Sequence, residues 1–169
     1  MSLGHSMYDH YMVEYMGVDE ATGEALYEAW YDERHGGLGD PYIDENGVQT
    51  YNYISSLHQY QIEHPDSEGH LKSTTTNDYS YATSKYNNKS YLPDLDGGLG
   101  ISLEVYGVTL DVATSYRLGG YGYDNVYAAL MANDQVGKHN WHVDIRNSWT
   151  ENHTKTDIPR LSNGAGQFD

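Results

Sequence analysis

The sequence holds no cysteine, a single phenylalanine, and only 9 lysines and arginines among its 169 residues. Without cysteine there are neither disulfides nor thiolate metal sites, a trait that fits a cytosolic protein and a bacterial envelope protein equally. Against 25 aspartates and glutamates the few cations leave a formal net charge of −16. Binding to a phosphate backbone then has no electrostatic support, and no nucleic-acid partner is expected. No run approaches the roughly 18 apolar residues of a membrane helix, and Met1 to Met16 lack the basic start and apolar core of a signal peptide. A β-barrel would trip neither test. Mean hydropathy is −0.74, and the aliphatic residues are concentrated in one stretch, which leaves little core for the rest.

Catalytic motifs are missing as well. There is no GxSxG, no P-loop and no GxGxxG opening a helix, and the scattered serine, histidine and aspartate residues do not assemble into a triad. His139 and His142 with Asp144 offer donors in a short span, but zinc needs three or four converging ligands and neither HExxH nor a cysteine pair supplies the rest. Asp40, Asp44 and Glu45 share a loop without the spacing or closing glutamate of an EF-hand. The expectation is a protein without catalysis, cofactor or metal.

What the chain does have is 18 tyrosines, an aromatic whose polar tip suits a wet interface, either a lipid headgroup girdle or a sugar-binding loop. It also has one strongly patterned stretch, Gly97 to Gly120. Leu99, Ile101, Leu103 and Val105 alternate with Gly100, Ser102 and Glu104; after Tyr106-Gly107, Val108, Leu110 and Val112 alternate with Thr109, Asp111 and Ala113. Period two denotes strands, and a two-residue turn ending in glycine sets Leu103 opposite Leu110 and Ile101 opposite Val112. All seven apolar residues then share one face. Ser102, Glu104, Thr109, Asp111, Ser115 and Arg117 share the other, with Asp96 placed to pair with Arg117. Each arm is about ten residues long, the length a tilted strand needs to cross a bilayer. Two structures fit such a ribbon: a soluble β-sandwich whose apolar face meets a second sheet, and a barrel whose apolar face meets lipid while its polar face lines the lumen.

Along the chain, residues 1 to 31 read as a second, more polar hairpin, with Tyr11, Val13 and Tyr15 alternating, a turn at Thr22-Gly23, and Ala25 to Trp30 returning. Asn46-Gly47 between Tyr42-Ile43 and Val48 to Tyr51 is a short hairpin signal. The remainder of Asp32 to Asp96, including Ser73 to Asp78 and Asn87 to Ser90, reads as connection. So long a polar connection suits the extracellular loops of a large barrel better than a compact soluble domain. Asn125 to Met131 has the composition and spacing of a short helix. Trp141, Ile145 and Trp149 stand four apart, predicting a second helix packed on the first.

Leu95 through Met131 resembles the late-barrel region of the SusC/RagA family of TonB-linked outer-membrane proteins. The likeness runs from Gly97-Gly98 through the strand, turn and strand to Tyr116-Arg117-Leu118-Gly119-Gly120, Tyr123-Asp124 and Tyr127-Ala128-Ala129-Leu130-Met131. Asn140 to Ile145, Trp149 to Asn152 and Thr156 to Leu161 are similar to the segment before that family's final strands. Gly4 to Tyr8, Gly17-Val18-Asp19 and Thr22-Gly23 resemble an earlier strand-loop-strand. The resemblance implies an all-β fold: a partial segment of a large antiparallel transmembrane β-barrel with long extracellular loops and one or two short loop helices. It implies that 1–169 is an internal fragment without the family's leader, TonB box or plug, ending at Gln167-Phe168-Asp169 short of the last strands. It further implies transport at the outer membrane of a Bacteroidota-like cell, with a SusD-like surface lipoprotein and the TonB complex as partners and a glycan or peptide as ligand. On that reading Leu99, Ile101, Leu103, Val105, Val108, Leu110 and Val112 face lipid, and Ser102, Glu104, Thr109, Asp111 and Arg117 face the lumen. The other reading is a secreted all-β module that uses its tyrosine-rich loops to bind carbohydrate.

Overall fold

The computed structural model describes residues 4–44, 46–132 and 140–161. The chain divides into two compact units, one made of residues 1–10 with 86–123 and the other of residues 11–85 with 124–169.

The first unit is built on the expected hairpin. Strands β8 (Leu95–Val105) and β9 (Val108–Leu118) pair antiparallel in unbroken register about Tyr106-Gly107. Both turn residues have positive φ, 51° at Tyr106 and 80° at Gly107. That is what a tight turn matching the right-handed twist of its strands requires. At the open end the chain is tied down by backbone bonds, Tyr91 N–H to the Tyr8 carbonyl at 3.0 Å and Tyr121 N–H to the Ser90 carbonyl at 2.8 Å. The His5 ring stacks on Tyr86 with centroids 3.6 Å apart.

In the second unit, β2 (Tyr15–Val18), β3 (Ala25–Asp32) and β6 (Leu71–Thr76) form a three-stranded antiparallel sheet with β3 in the middle. β2 pairs with β3 as the sequence predicts, around a turn in which Asp19 accepts from Ala21 N–H and the Thr22 hydroxyl. The strand before it behaves differently: β1 (Asp9–Val13) pairs with β7 (Ser84–Ser90). β6 and β7 also correct the reading of Ser73 to Asp78 and Asn87 to Ser90 as connection. Threonine is β-branched and favours an extended backbone, so Ser73-Thr74-Thr75-Thr76 pairs with β3 although its polarity hides the strand. β4 (Pro41–Ile43) and β5 (Gln49–Tyr51) form the small hairpin flanking Asn46-Gly47.

Helix α1 (Leu57–Glu63) was not anticipated, whereas α2 (Asn125–Met131) forms as predicted, capped by the Asp124 carboxylate accepting from Tyr127 N–H at 2.9 Å. The second predicted helix is a short 3₁₀ turn over Val143–Asn147. His142 accepts from Asp144 N–H, and the Ser148 hydroxyl donates to the Ile145 carbonyl, so short side chains compete for the backbone groups an α-helix would use. With about three residues per 3₁₀ turn, positions four apart do not share a stripe. Ile145 is buried, but Trp149 lies against Gly23, donating its indole N–H to the Glu20 carbonyl at 3.1 Å. The segment meets α2 through Tyr127, whose hydroxyl donates to Asp144 at 3.2 Å and whose ring stands edge-on to His142, and through the Leu130 carbonyl, which accepts from His142 N–H at 3.1 Å.

The apolar interior of this unit is small, Ala25, Ala29, Ile54, Ala82, Met131 and Ile145, and polar side chains share it. Asn52 accepts from Asp32 N–H and donates to the carbonyls of Asp32, Gly36 and Gly37. Thr83 accepts from Trp30 N–H and donates to the Ile54 carbonyl. Each buried polar group left without a partner would cost about 1 to 3 kcal/mol, so these bonds specify the fold where aliphatic bulk is scarce.

Candidate functional site

The register of the long hairpin fixes the facing of every residue in it. Leu99, Ile101, Leu103 and Val105 lie on the face that also carries Val108, Leu110 and Val112, with Ile101 opposite Val112, Leu103 opposite Leu110 and Val105 opposite Val108. All seven are exposed. Leu95 and Leu118 extend the face at the open end, and the Tyr116 ring lies across Gly97, so close that a Cβ at Gly97 would stand 2.6 Å from its hydroxyl oxygen. The opposite face places Ser102 against Asp111, Glu104 against Thr109 and Asp96 against Arg117. The ion pair expected between the last two does not form: the ion pairs among the described residues lie outside the hairpin.

At about 3.3 Å per residue and a tilt near 40°, each residue of a barrel strand gains about 2.5 Å of height, so Leu95 to Val105 rises about 25 Å. That equals the height of the apolar band of an outer-membrane barrel. Aromatics stand at both limits: Tyr106 at the turn is wholly exposed at 103%, and Tyr91, Tyr116, Tyr121 and Tyr123 are exposed toward the open end. One face of the ribbon is thus predominantly apolar and the other polar.

Among the described residues no three histidines, cysteines or acids are grouped to hold a metal ion. His142 lies beside Asp144, 3.2 Å away, while His139 and Glu45 fall outside the described residues. A cluster around Arg34, Tyr42 and Tyr60 has no local sequence pattern to announce it, although Leu57, Tyr60, Gln61 and His64 carry helical spacing. Asp32, with a side chain fully buried, receives the Arg34 guanidinium at 2.6 Å and the Tyr60 hydroxyl at 3.1 Å. Burial alone would raise this carboxyl, but the hydrogen bonds from Arg34 and Tyr60 hold it at about 2.

Fold and ribbon together define a class: predominantly antiparallel strands with few short helices and no closed barrel among the described residues, an open piece of β-barrel architecture. No family profile and no curated protein matches the chain. Solved structures do. The RagAB peptide transporter superposes with a TM-score of 0.57 at 24% identity over 94% of this chain. The RagAB peptide importer in its closed-closed state gives 0.58 at 25% identity over 95%. The chain spans 14% of the length of each solved chain it matches. The likeness is one of fold.

Proposed function

We propose that this chain is a segment of a TonB-dependent outer-membrane nutrient importer of the SusC/RagA kind. In it Leu99, Ile101, Leu103, Val105, Val108, Leu110 and Val112 face lipid, and Ser102, Glu104, Thr109, Asp111 and Arg117 face the lumen. The observation that carries this reading is the hairpin itself, two paired strands of 11 residues each with an exposed, predominantly apolar face interrupted by Thr114. The outer edges of β8 and β9 point the same way, because a spanning sheet must close so that no backbone group is unpaired in hydrocarbon, at several kcal/mol each. The rest of the barrel supplies those partners. The protein is not catalytic; it works with a SusD-like surface lipoprotein and the TonB complex, and its ligand is a peptide or oligosaccharide. The peptide is favoured because both structural neighbours are described as peptide carriers.

Hydrogen exchange in buffer and in detergent micelles tests the reading. Amides of β8 and β9 should be protected only where detergent covers the apolar face, and the chain should associate in buffer alone. A monodisperse chain with the same protection in buffer would favour the secreted carbohydrate-binding module.

A further inference from the structure

The second unit holds a cavity of about 270 Å³ lined by residues of β4, α1 and the loops beside them, among them Arg34, Tyr42, Asp44, Tyr60 and Asp66. It is smaller than the roughly 300 to 1,000 Å³ that encloses a drug-sized ligand, which suits one side chain rather than a whole oligomer. Its aromatic walls are fixed in place. His35 stacks on Tyr42 at 4.1 Å and 15°, and His64 on Tyr60 at 4.4 Å and 24°.

Arg34 is not free to anchor an anion here. Its Nε and Nη2 are spent on buried Asp32 at 3.0 and 2.6 Å, and its Nη1 donates to Asp66 at 2.7 Å. One guanidinium thus meets the carboxylates of Asp66, in the lining, and of Asp32, buried behind it, while Asp44 adds a further negative charge to the lining, so the charged side chains that line the cavity leave an excess of one negative charge, reinforced by Asp32. Burial pushes the Tyr60 phenol up to about 12 with help from Asp32, and burial together with Asp44 and Asp32 raises Tyr42. Both rings stay neutral and aromatic at physiological pH, inside a chain whose formal charge of −16 draws cations toward it.

We infer that this cavity binds a single cationic side chain, the guanidinium or ammonium of an arginine or lysine in a peptide. Aromatic walls with carboxylates at the mouth are the arrangement that holds such a group: the rings attract its charge and the acids accept its protons. As a subsite for imported peptide the inference rests on the importer reading; as a binding site it stands without it.

The test titrates the full chain in detergent micelles, by calorimetry and by NMR of the tyrosine rings, with acetyl-arginine amide, its uncharged isostere acetyl-citrulline amide, acetyl-glutamate amide and maltose. The arginine probe should bind, weaken with added salt, and outcompete citrulline about tenfold. Asp44→Asn keeps the oxygen that accepts from Asn46 and Val48 N–H, so it removes charge without opening the loop. It should weaken the arginine probe roughly two- to fivefold, and Asp66→Asn added to it should weaken binding further. Asp44→Asn alone still decides the matter if the double variant unfolds. Equal affinity for arginine and citrulline, tighter binding of glutamate, binding of maltose instead, or no binding by a folded chain would overturn the inference. Binding by a chain that shows no detergent-dependent protection of β8 and β9 would keep the subsite and remove the importer.

Discussion

Arginine placed at Ile101 or at Leu99 should be the costliest charge in the hairpin of the complete barrel. Counting up from Val105 at about 2.5 Å of height per residue, Leu103 stands about 5 Å above the lower rim of the apolar band, Ile101 about 10 Å and Leu99 about 15 Å, so the middle of a band about 25 Å tall falls between Ile101 and Leu99. An arginine on the lipid face at the midplane costs about 2 to 4 kcal/mol, falling to about 0 to 1 near the interface. The expected order is therefore Ile101→Arg above Leu103→Arg, with Val105→Arg close to neutral. Ser102→Arg should be tolerated, because Asp111 stands opposite it on the other face. Urea titration of the whole barrel folded into phospholipid vesicles reads these differences. Equal cost at Ile101 and Ser102 would refute the assignment of faces, and a cost independent of depth would refute the tilt on which the ladder rests.

Gly107→Val in the same assay should destabilise the hairpin by about 1 to 2 kcal/mol, since φ there is 80° and a β-branched residue is strained in that region. Trp149→Ala should cost about 2 kcal/mol through lost packing on Gly23 and the lost bond to the Glu20 carbonyl, read as faster hydrogen exchange at Asp19 and Gly23. Asp32 should make the second unit acid-sensitive. Its carboxyl is held near 2 in the folded chain against an ordinary 3.8, so the stabilisation of about 2 kcal/mol is complete above pH 5 and lost as pH falls through 4 toward 2. Amide exchange of β3 measured down that range should follow this loss, and Asp32→Asn should reduce the dependence to what the lowered carboxyls of Asp19, Asp66 and Asp78 contribute.

How much was legible differs between the units for a physical reason. In β8 and β9 the facing of each residue follows from alternation, because one face of the ribbon is predominantly apolar and a slip of one residue would reverse it. Tyr106-Gly107 added the turn. In the second unit a polar network does the work that aliphatic residues do elsewhere, and hydropathy carries no record of it: Thr83, Asn52 and Asp32 are buried by their hydrogen bonds. The Ser73-Thr74-Thr75-Thr76 strand was hidden for the same cause. Trp141, Ile145 and Trp149 had helical spacing, but His142, Asp144 and Ser148 between them turned the segment to 3₁₀ geometry. The Arg34 cluster draws on β3, β4 and α1, so no local pattern announced it.

This chain has no cysteine, so site-directed spin labelling is the most direct test of the central claim once any cysteine elsewhere in the barrel has been replaced. Single cysteines at residues 99 to 105 of the barrel in vesicles would be labelled one at a time and their collisions with oxygen and with a water-soluble nickel chelate measured. The account predicts a period of two: oxygen favoured at Leu99, Ile101, Leu103 and Val105, the chelate favoured at Gly100, Ser102 and Glu104. Chelate access at every position, or no alternation at all, would contradict it.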